Sequence, residues 1–109
     1  MTDRRAATAA YKERKSVAGV YAMRCAPSGE IWVGETLDID KIWNRLAFSL
    51  RSGSHPRRAL QVAWTTHGEA TFAFEALERM PEAPSAYARD AALKDRRDVW
   101  RQRLGAAPV

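Results

Sequence analysis

The stretch at 16–35, SVAGVYAMRCAPSGEIWVGE, decides the fold. Its middle, APSG at 26–29, places Pro and Gly where a tight turn favours them, and its flanks are rich in Val, Ile, Tyr and Trp, as strands are. We therefore predict a β-hairpin. Because side chains alternate across a strand, Tyr21, Trp32 and Gly34 share one face whether Tyr21 pairs with Trp32 or with Gly34. That face is either an active site or half of a packed sheet.

The composition indicates one small globular domain. Of its 109 residues, 46% are hydrophobic and 28% charged, as in ordinary folded domains. The net charge of +5 makes this a basic protein and suits a polyanionic partner such as nucleic acid. The single cysteine, Cys25, excludes an internal disulfide and indicates a reducing compartment. No apolar run has the length of a membrane span or a signal peptide, so we expect a soluble, cytoplasmic protein with no membrane partner.

Apolar residues at helical spacing predict the helices after the hairpin. They lie at about 36–53, 57–67 and 86–104, and a glycine closes each of them. Asp38 is the expected N-cap of the first. An Ala-rich, charged segment at 3–15 predicts a further helix, or a basic arm, in front of the hairpin.

A third strand is predicted at 70–78, where Phe72, Phe74 and Ala76 alternate with the other residues. The predicted element order is α-β-β-α-α-β-α. We therefore expect an α+β domain over 16–105, a three-stranded antiparallel sheet flanked by helices, followed by a short tail at 106–109.

Several motifs of this chain resemble those of the GIY-YIG endonuclease family. GVY at 19–21 and WVG at 32–34 match the two triplets, and the likeness continues through LRSGSH, LQVAW, HG and FAFEALE between 50 and 78. It is closest in kind to intron-encoded GIY-YIG endonucleases and spans about 17–104. The resemblance implies a GIY-YIG-like fold that cleaves DNA phosphodiesters with Mg²⁺ or Mn²⁺. In that chemistry a tyrosine assists water attack, an arginine steadies the phosphate, and a glutamate holds the metal.

Part of the family's site is retained. By resemblance, Tyr21 matches the first catalytic tyrosine, Gly34 the glycine of the second triplet, and His55 a histidine in the loop after the first family helix. Trp32 replaces the second tyrosine. An indole offers an N–H donor and no acceptor oxygen, so Trp32 does not reproduce the hydrogen bonds of a phenol.

Three catalytic positions of the family carry other residue types here. The arginine position holds Ile42, the histidine position Leu46, and the metal-binding glutamate position Arg97. A cation at 97 repels Mg²⁺ and attracts phosphate. Arg45, three residues after Ile42, is either a substitute phosphate clamp or a solvent-facing charge. Because Ile42 and Leu46 belong to an apolar helical stripe, we expect that helix face to be core.

Three functions remain open at this stage. The first is a DNA-binding pseudoenzyme that needs no metal, in which Trp32 stacks a base and cations follow the phosphate backbone. Its candidate nucleic-acid-binding residues are Gly34, Arg51, Arg57, Arg58, Arg97 and Arg101.

The second function is an active endonuclease with a rebuilt site, in which Tyr21 and Arg45 act with Mg²⁺ or Mn²⁺. Its relocated metal ligand is one of three carboxylates: Glu35, Asp90 or Glu75. Glu75 also suits a plain exposed strand position. The third function is a protein-interaction module with no nucleic-acid role. The sequence does not fix the oligomeric state.

Overall fold

The computed structural model describes residues 16–109. The helix or basic arm predicted at 3–15 lies outside them. The elements, in chain order, are β1 (Gly19–Cys25), β2 (Ile31–Thr36), α1 (Ile42–Arg51), α2 (Arg58–His67), a 3₁₀ turn (Glu69–Thr71), β3 (Phe72–Arg79), α3 (Ala86–Leu104) and β4 (Ala107–Pro108). None of the helices in this part of the chain is long and apolar enough to cross a membrane.

The hairpin, the helix at 86–104 and the mixed α+β class are confirmed. The start of α1 differs from the prediction because the chain first makes a turn at its expected cap. The Thr36 hydroxyl accepts the Asp38 N–H at 3.1 Å and donates to the Asp38 carbonyl at 3.2 Å. That carbonyl also accepts the N–H of Ile42, and the helix begins there, with Lys41 as its N-cap.

The sheet has four strands in the order β3-β1-β2-β4, whereas three were predicted. β1 pairs antiparallel with both β2 and β3, and Tyr21 lies opposite Gly34, which decides between the two predicted registers. The fourth strand comes from the predicted tail. It runs parallel to β2, with Trp32 opposite Ala107. Two residues with no alternating pattern gave no strand signal.

Each face of the sheet carries its own apolar core. On one face, Tyr21, Met23 and Trp32 pack against the inner sides of α1 and α2. On the other, Val20, Ala22 and Val33 pack with apolar residues of β3, α3 and the chain after α3. The domain is therefore layered as α1–α2, sheet, α3. Tyr21 and Trp32 both face the α1–α2 layer. Tyr21 lies opposite Gly34, Trp32 is two residues before Gly34, and residues two apart on a strand share a face.

Candidate active site

Tyr21 and Gly34, the matched residues of the two triplets, are in direct contact. Tyr21 is only 3% exposed and stacks on Phe74 with ring centroids 5.6 Å apart. A Cβ built on Gly34 would stand 2.6 Å from the Tyr21 hydroxyl oxygen and 3.1 Å from the Cβ of Val109. Glycine is therefore needed at 34 because the phenol lies across it.

The hydroxyl of Tyr21 holds its proton firmly. Burial raises the pKa of Tyr21 well above its ordinary value, and the nearby Glu35 carboxylate raises it further. At neutral pH the side chain is thus a neutral phenol, able to donate or accept a hydrogen bond.

Gly19, the first residue of the GVY triplet, has a packing role as well. A Cβ there would overlap the backbone carbonyl oxygen of Glu78 on β3, next to a register shift at Val20 and Tyr21. Backbone atoms cannot swing away as a flexible side chain does. The glycines of both triplets are thus accounted for by close contacts within the fold.

Trp32 is part of the core. It is fully buried, and its ring stacks on Phe72 with centroids 5.9 Å apart. Its indole N–H is buried and has no hydrogen-bond acceptor among residues 16–109. The expectation that Trp32 stacks a base does not hold in this structure, since neither face of the ring reaches the surface.

Ile42 and Leu46, which the sequence resemblance aligns with the family's arginine and histidine, also face the core, as expected from the apolar stripe. Leu46 is buried in the cluster that contains Tyr21, and Ile42 packs against that cluster. Arg45 instead is exposed and lies on the rim of an open cleft of about 890 Å³ between α1 and the start of α3. Tyr21 is not among the residues lining that cleft. The structure therefore does not join Arg45 and Tyr21 in one site.

Arg97, which the sequence resemblance aligns with the family's metal-binding glutamate, is half-buried on α3 and already paired. Its guanidinium donates to Glu35 at 2.5 Å and to the neighbouring Asp98 at 3.1 Å. The hydrogen bond to Asp98 and the charge of Glu35 raise the pKa of Arg97. Two carboxylates compensate the cation, so it is not the free phosphate-attracting charge that the sequence suggested.

The described residues do not fit a divalent metal at this place. Within 16–109 no group of three or more His, Cys, Asp or Glu side chains converges as a metal shell would require. Among the candidate ligands, Glu35 is held in its ion pair, Asp90 is exposed and pairs with its neighbour Arg89 at 3.1 Å, and Glu75 is exposed and pairs with Arg24 at 3.2 Å. Glu75 thus occupies the plain strand position considered above.

His55 stabilises the start of α2. Its Nδ1 accepts the backbone N–H of Arg57 at 3.0 Å, and its own backbone N–H donates to the Gln61 side chain at 3.2 Å. Partial burial is the main cause of the lowered pKa of His55. The hydrogen bond accepted by Nδ1 requires a neutral imidazole. This structural role accounts for a histidine in this loop, and no catalytic role is needed to explain it.

The other candidate arginines divide by partner. Arg51 is clamped by Glu69 through two hydrogen bonds of 2.6 and 2.7 Å. Arg101 has a buried Nε with no acceptor among residues 16–109. Arg57 and Arg58 are exposed, and no carboxylate of the described chain lies within ion-pair distance of either. The pairing of Glu35 with Arg97 could not be seen in the sequence, because 62 positions separate them.

Two solved structures are similar to this chain. The catalytic domain of the homing endonuclease I-TevI has a TM-score of 0.70 at 23% identity, covering 84% of this chain and 97% of that one. A point mutant described as the catalytic domain of intron endonuclease I-TevI has a TM-score of 0.69 at 25% identity, covering 82% and 84%. Neither a protein-family model nor a curated protein matches the chain. With the two triplets in contact as described, the chain has a GIY-YIG-like fold.

Proposed function

We propose that this protein binds DNA on a GIY-YIG-like scaffold and does not carry out the family's metal-dependent cleavage. One observation carries the proposal: Arg97 stands where the metal-binding glutamate is expected and is held by Glu35 and Asp98. A divalent metal ion would have to displace the guanidinium group of Arg97 before it could bind the carboxylates of Glu35 and Asp98. The apolar surroundings of Ile42 and Leu46 add to the argument, because no cation is left there to meet a phosphate.

The fold and the charge support DNA as the partner. The structural neighbours are endonuclease catalytic domains, and the net charge is +5. A cationic protein gains affinity for DNA by releasing condensed counterions, so its binding is strongly salt-dependent. This electrostatic contribution does not depend on the base sequence. We therefore expect binding of low sequence specificity.

The first test measures binding and cleavage together. We expect a labelled duplex to bind more weakly as salt rises from about 50 to 200 mM, with EDTA changing nothing. We expect no nicking with Mg²⁺ or Mn²⁺. Metal-dependent nicking that Tyr21→Phe abolishes would instead establish a rebuilt nuclease. Absence of binding, together with a purified protein free of nucleic acid, would favour an interaction module.

A second test restores the family's residues. The variant Ile42→Arg, Leu46→His, Arg97→Glu returns all three side chains, and the matched control carries Gln instead of Glu at 97. Circular dichroism must first show that both remain folded, because Leu46 is buried. Cleavage gained by the Glu variant alone would support the assignment of the lost site. If both variants fold and neither cleaves, loss of these three residues does not explain the absence of activity.

A further inference from the structure

The acidic residues are absent from one continuous part of the chain. Residues 41–68 contain none of the 13 Asp and Glu, although at the chain's average frequency a segment of that length would carry about three. The same segment holds 5 of the 18 Lys and Arg, so the other 13 cations balance the 13 acids and the whole net charge of +5 resides here. Its cations are Lys41, Arg45, Arg51, Arg57 and Arg58.

This segment folds into one layer of the domain, which places its charge on one side of the molecule. It comprises α1, the loop after it, and α2, and its apolar residues pack on the sheet. The outward positions carry Arg45, Arg57 and Arg58, all exposed, together with Phe48 at 74% exposure. Each helix has 10 residues and is about 15 Å long. We call this outer side of residues 41–68 the acid-free face.

The arginines of the acid-free face differ from those of the rest of the domain in their partners. On the sheet and on α3, five of the seven arginine side chains are paired with carboxylates of residues 16–109, and Arg101 and Arg103 are not; the five are Arg24, Arg79, Arg89, Arg96 and Arg97. Arg45, Arg57 and Arg58 have no carboxylate of residues 16–109 within ion-pair distance. Arg51 is the exception, and its partner Glu69 lies just beyond the segment. Lys94, Arg101 and Arg103 on α3 also have no carboxylate of the described residues within ion-pair distance, but that helix carries Asp90, Asp95 and Asp98, whereas α1 and α2 carry no acid. The positive charge of the described chain is therefore least compensated on α1 and α2.

We infer that the acid-free face is the surface that binds DNA, with Arg45, Arg57 and Arg58 at backbone phosphates. This inference rests on the proposed function and assigns it to a surface other than the Tyr21–Gly34 contact and the Arg97 pair. Asp38 and Glu82 line the same cleft as Arg45, but α1, α2 and the loop between them carry no carboxylate. Charge complementarity selects the partner, because a polyanion gains most where the fewest carboxylates oppose it. Guanidinium groups also bind phosphate oxygens through paired hydrogen bonds. DNA then lies over α1 and α2, on the side of the sheet opposite α3.

The test compares two triple variants of equal charge. The first replaces Arg45, Arg57 and Arg58 by Gln. The control replaces Arg24, Lys94 and Arg103 by Gln, on the sheet and the α3 side. Each lowers the formal net charge from +5 by three. The substitution at 57 leaves the hydrogen bond to His55 intact, because the backbone N–H makes it. Thermal unfolding must first show both variants folded, since Arg103 stacks on Trp100 and Arg24 pairs with Glu75.

The readout is fluorescence anisotropy of a labelled duplex at several salt concentrations. We expect the first variant to lose at least about tenfold in affinity near 50 mM salt. The slope of log affinity against log salt concentration should fall in magnitude by up to about three, because each phosphate contact contributes about 0.9 to that slope. The control should lose much less. Equal losses in both variants, or full binding by the first, would overturn the inference while leaving DNA binding established. Failure of the unsubstituted protein to bind would instead overturn the proposed function itself.

Discussion

Arg97 and Glu35 lie 62 positions apart in the sequence and meet at 2.5 Å across the β2–α3 contact. A half-buried arginine with two carboxylate partners satisfies charges that would otherwise be costly to place against the sheet. In the function that we propose, this pair takes the place of the family's metal, because the chain itself supplies the cation. The paired state and a metal-bound state then exclude each other.

Arg97→Glu is expected to exchange one state for the other. The substitution sets a third carboxylate beside Glu35 and Asp98, and we expect the free energy of unfolding to fall by about 1–2 kcal/mol at pH 7. Millimolar Mg²⁺ should then raise the melting temperature of the variant but not that of the unsubstituted protein. Differential scanning fluorimetry measures both. Arg97→Gln serves as the control, losing the ion pair without adding a ligand. An equal Mg²⁺ response in all three proteins would contradict the expectation.

Gly34→Ala is expected to destabilise the fold through Tyr21. The new methyl would stand 2.6 Å from the phenol oxygen, and the ring is held in place by Phe74. Overpacking of this kind costs about 1–3 kcal/mol, measurable by urea denaturation. In a Tyr21→Phe background the hydroxyl is gone, so the same substitution should cost less. Strictly additive costs in the double variant would show that the hydroxyl is not what requires glycine, since the ring carbon Cζ, 2.8 Å from the new methyl, remains in both backgrounds.

The sequence predicted the parts of the fold that depend on local pattern. Alternation placed Tyr21 and Gly34 on one face, and periodicity gave α3 its observed bounds, Ala86–Leu104, with the Ser85 side chain accepting the Ala88 N–H as its cap. Hydrogen bonds between the Thr36 hydroxyl and the backbone of Asp38 make α1 begin later than the helical pattern predicts. The spacing of apolar residues does not reveal such bonds.

The site was less predictable because its decisive features are contacts between distant residues. The sequence indicated that position 97 had changed to arginine, but it did not indicate that Glu35 on β2 is the partner of Arg97. The sequence also suggested that the ring of Trp32 could stack on a base, whereas the fold buries that ring. Burial of a central strand residue depends on both layers that cover the sheet. The lack of acids in residues 41–68 was visible in the sequence, yet only the fold shows that these residues form one face.

The pH dependence of stability is expected to include a contribution from Glu78. Its carboxylate accepts the indole N–H of Trp100 at 2.9 Å and hydrogen bonds from Arg96 at 3.0 and 3.1 Å, and these partners lower the pKa of Glu78, Trp100 most. A lowered carboxyl pKa stabilises the folded state above the ordinary glutamate pKa, and the gain is lost as pH falls through the folded value. Glu78→Gln should therefore cost about 1 kcal/mol near pH 7, and progressively less as the pH falls through the folded pKa of Glu78. Urea denaturation over a series of acidic pH values measures the decline. If the loss of unfolding free energy in Glu78→Gln did not depend on pH, the charge of Glu78 would not be what stabilises the folded state.

Phe48 is expected to contribute to binding rather than to stability. It is 74% exposed on α1, one turn from both Arg45 and Arg51, so Phe48→Ala should change the free energy of unfolding by less than about 0.5 kcal/mol. An exposed ring beside Arg45, which we infer to contact phosphate, is suited to stack on an unpaired base, an interaction of about 1–3 kcal/mol. We therefore expect Phe48→Ala to weaken binding of single-stranded DNA by about tenfold and of a duplex much less. The salt slope should stay unchanged, because a ring releases no counterion.

The matched control for Phe48 is Val62→Ala on α2, the other exposed large apolar residue of the acid-free face, at 52% exposure. Valine presents a hydrophobic surface but cannot stack on a base. If the loss of single-strand affinity belongs to aromatic stacking, Phe48→Ala shows it and Val62→Ala does not. Equal losses would mean that apolar area alone contributes. If only Phe48→Ala lowers the affinity, and lowers it equally for duplex and single-stranded DNA, the ring contacts the DNA backbone. The bases of a duplex are paired and cannot stack on a side chain of α1.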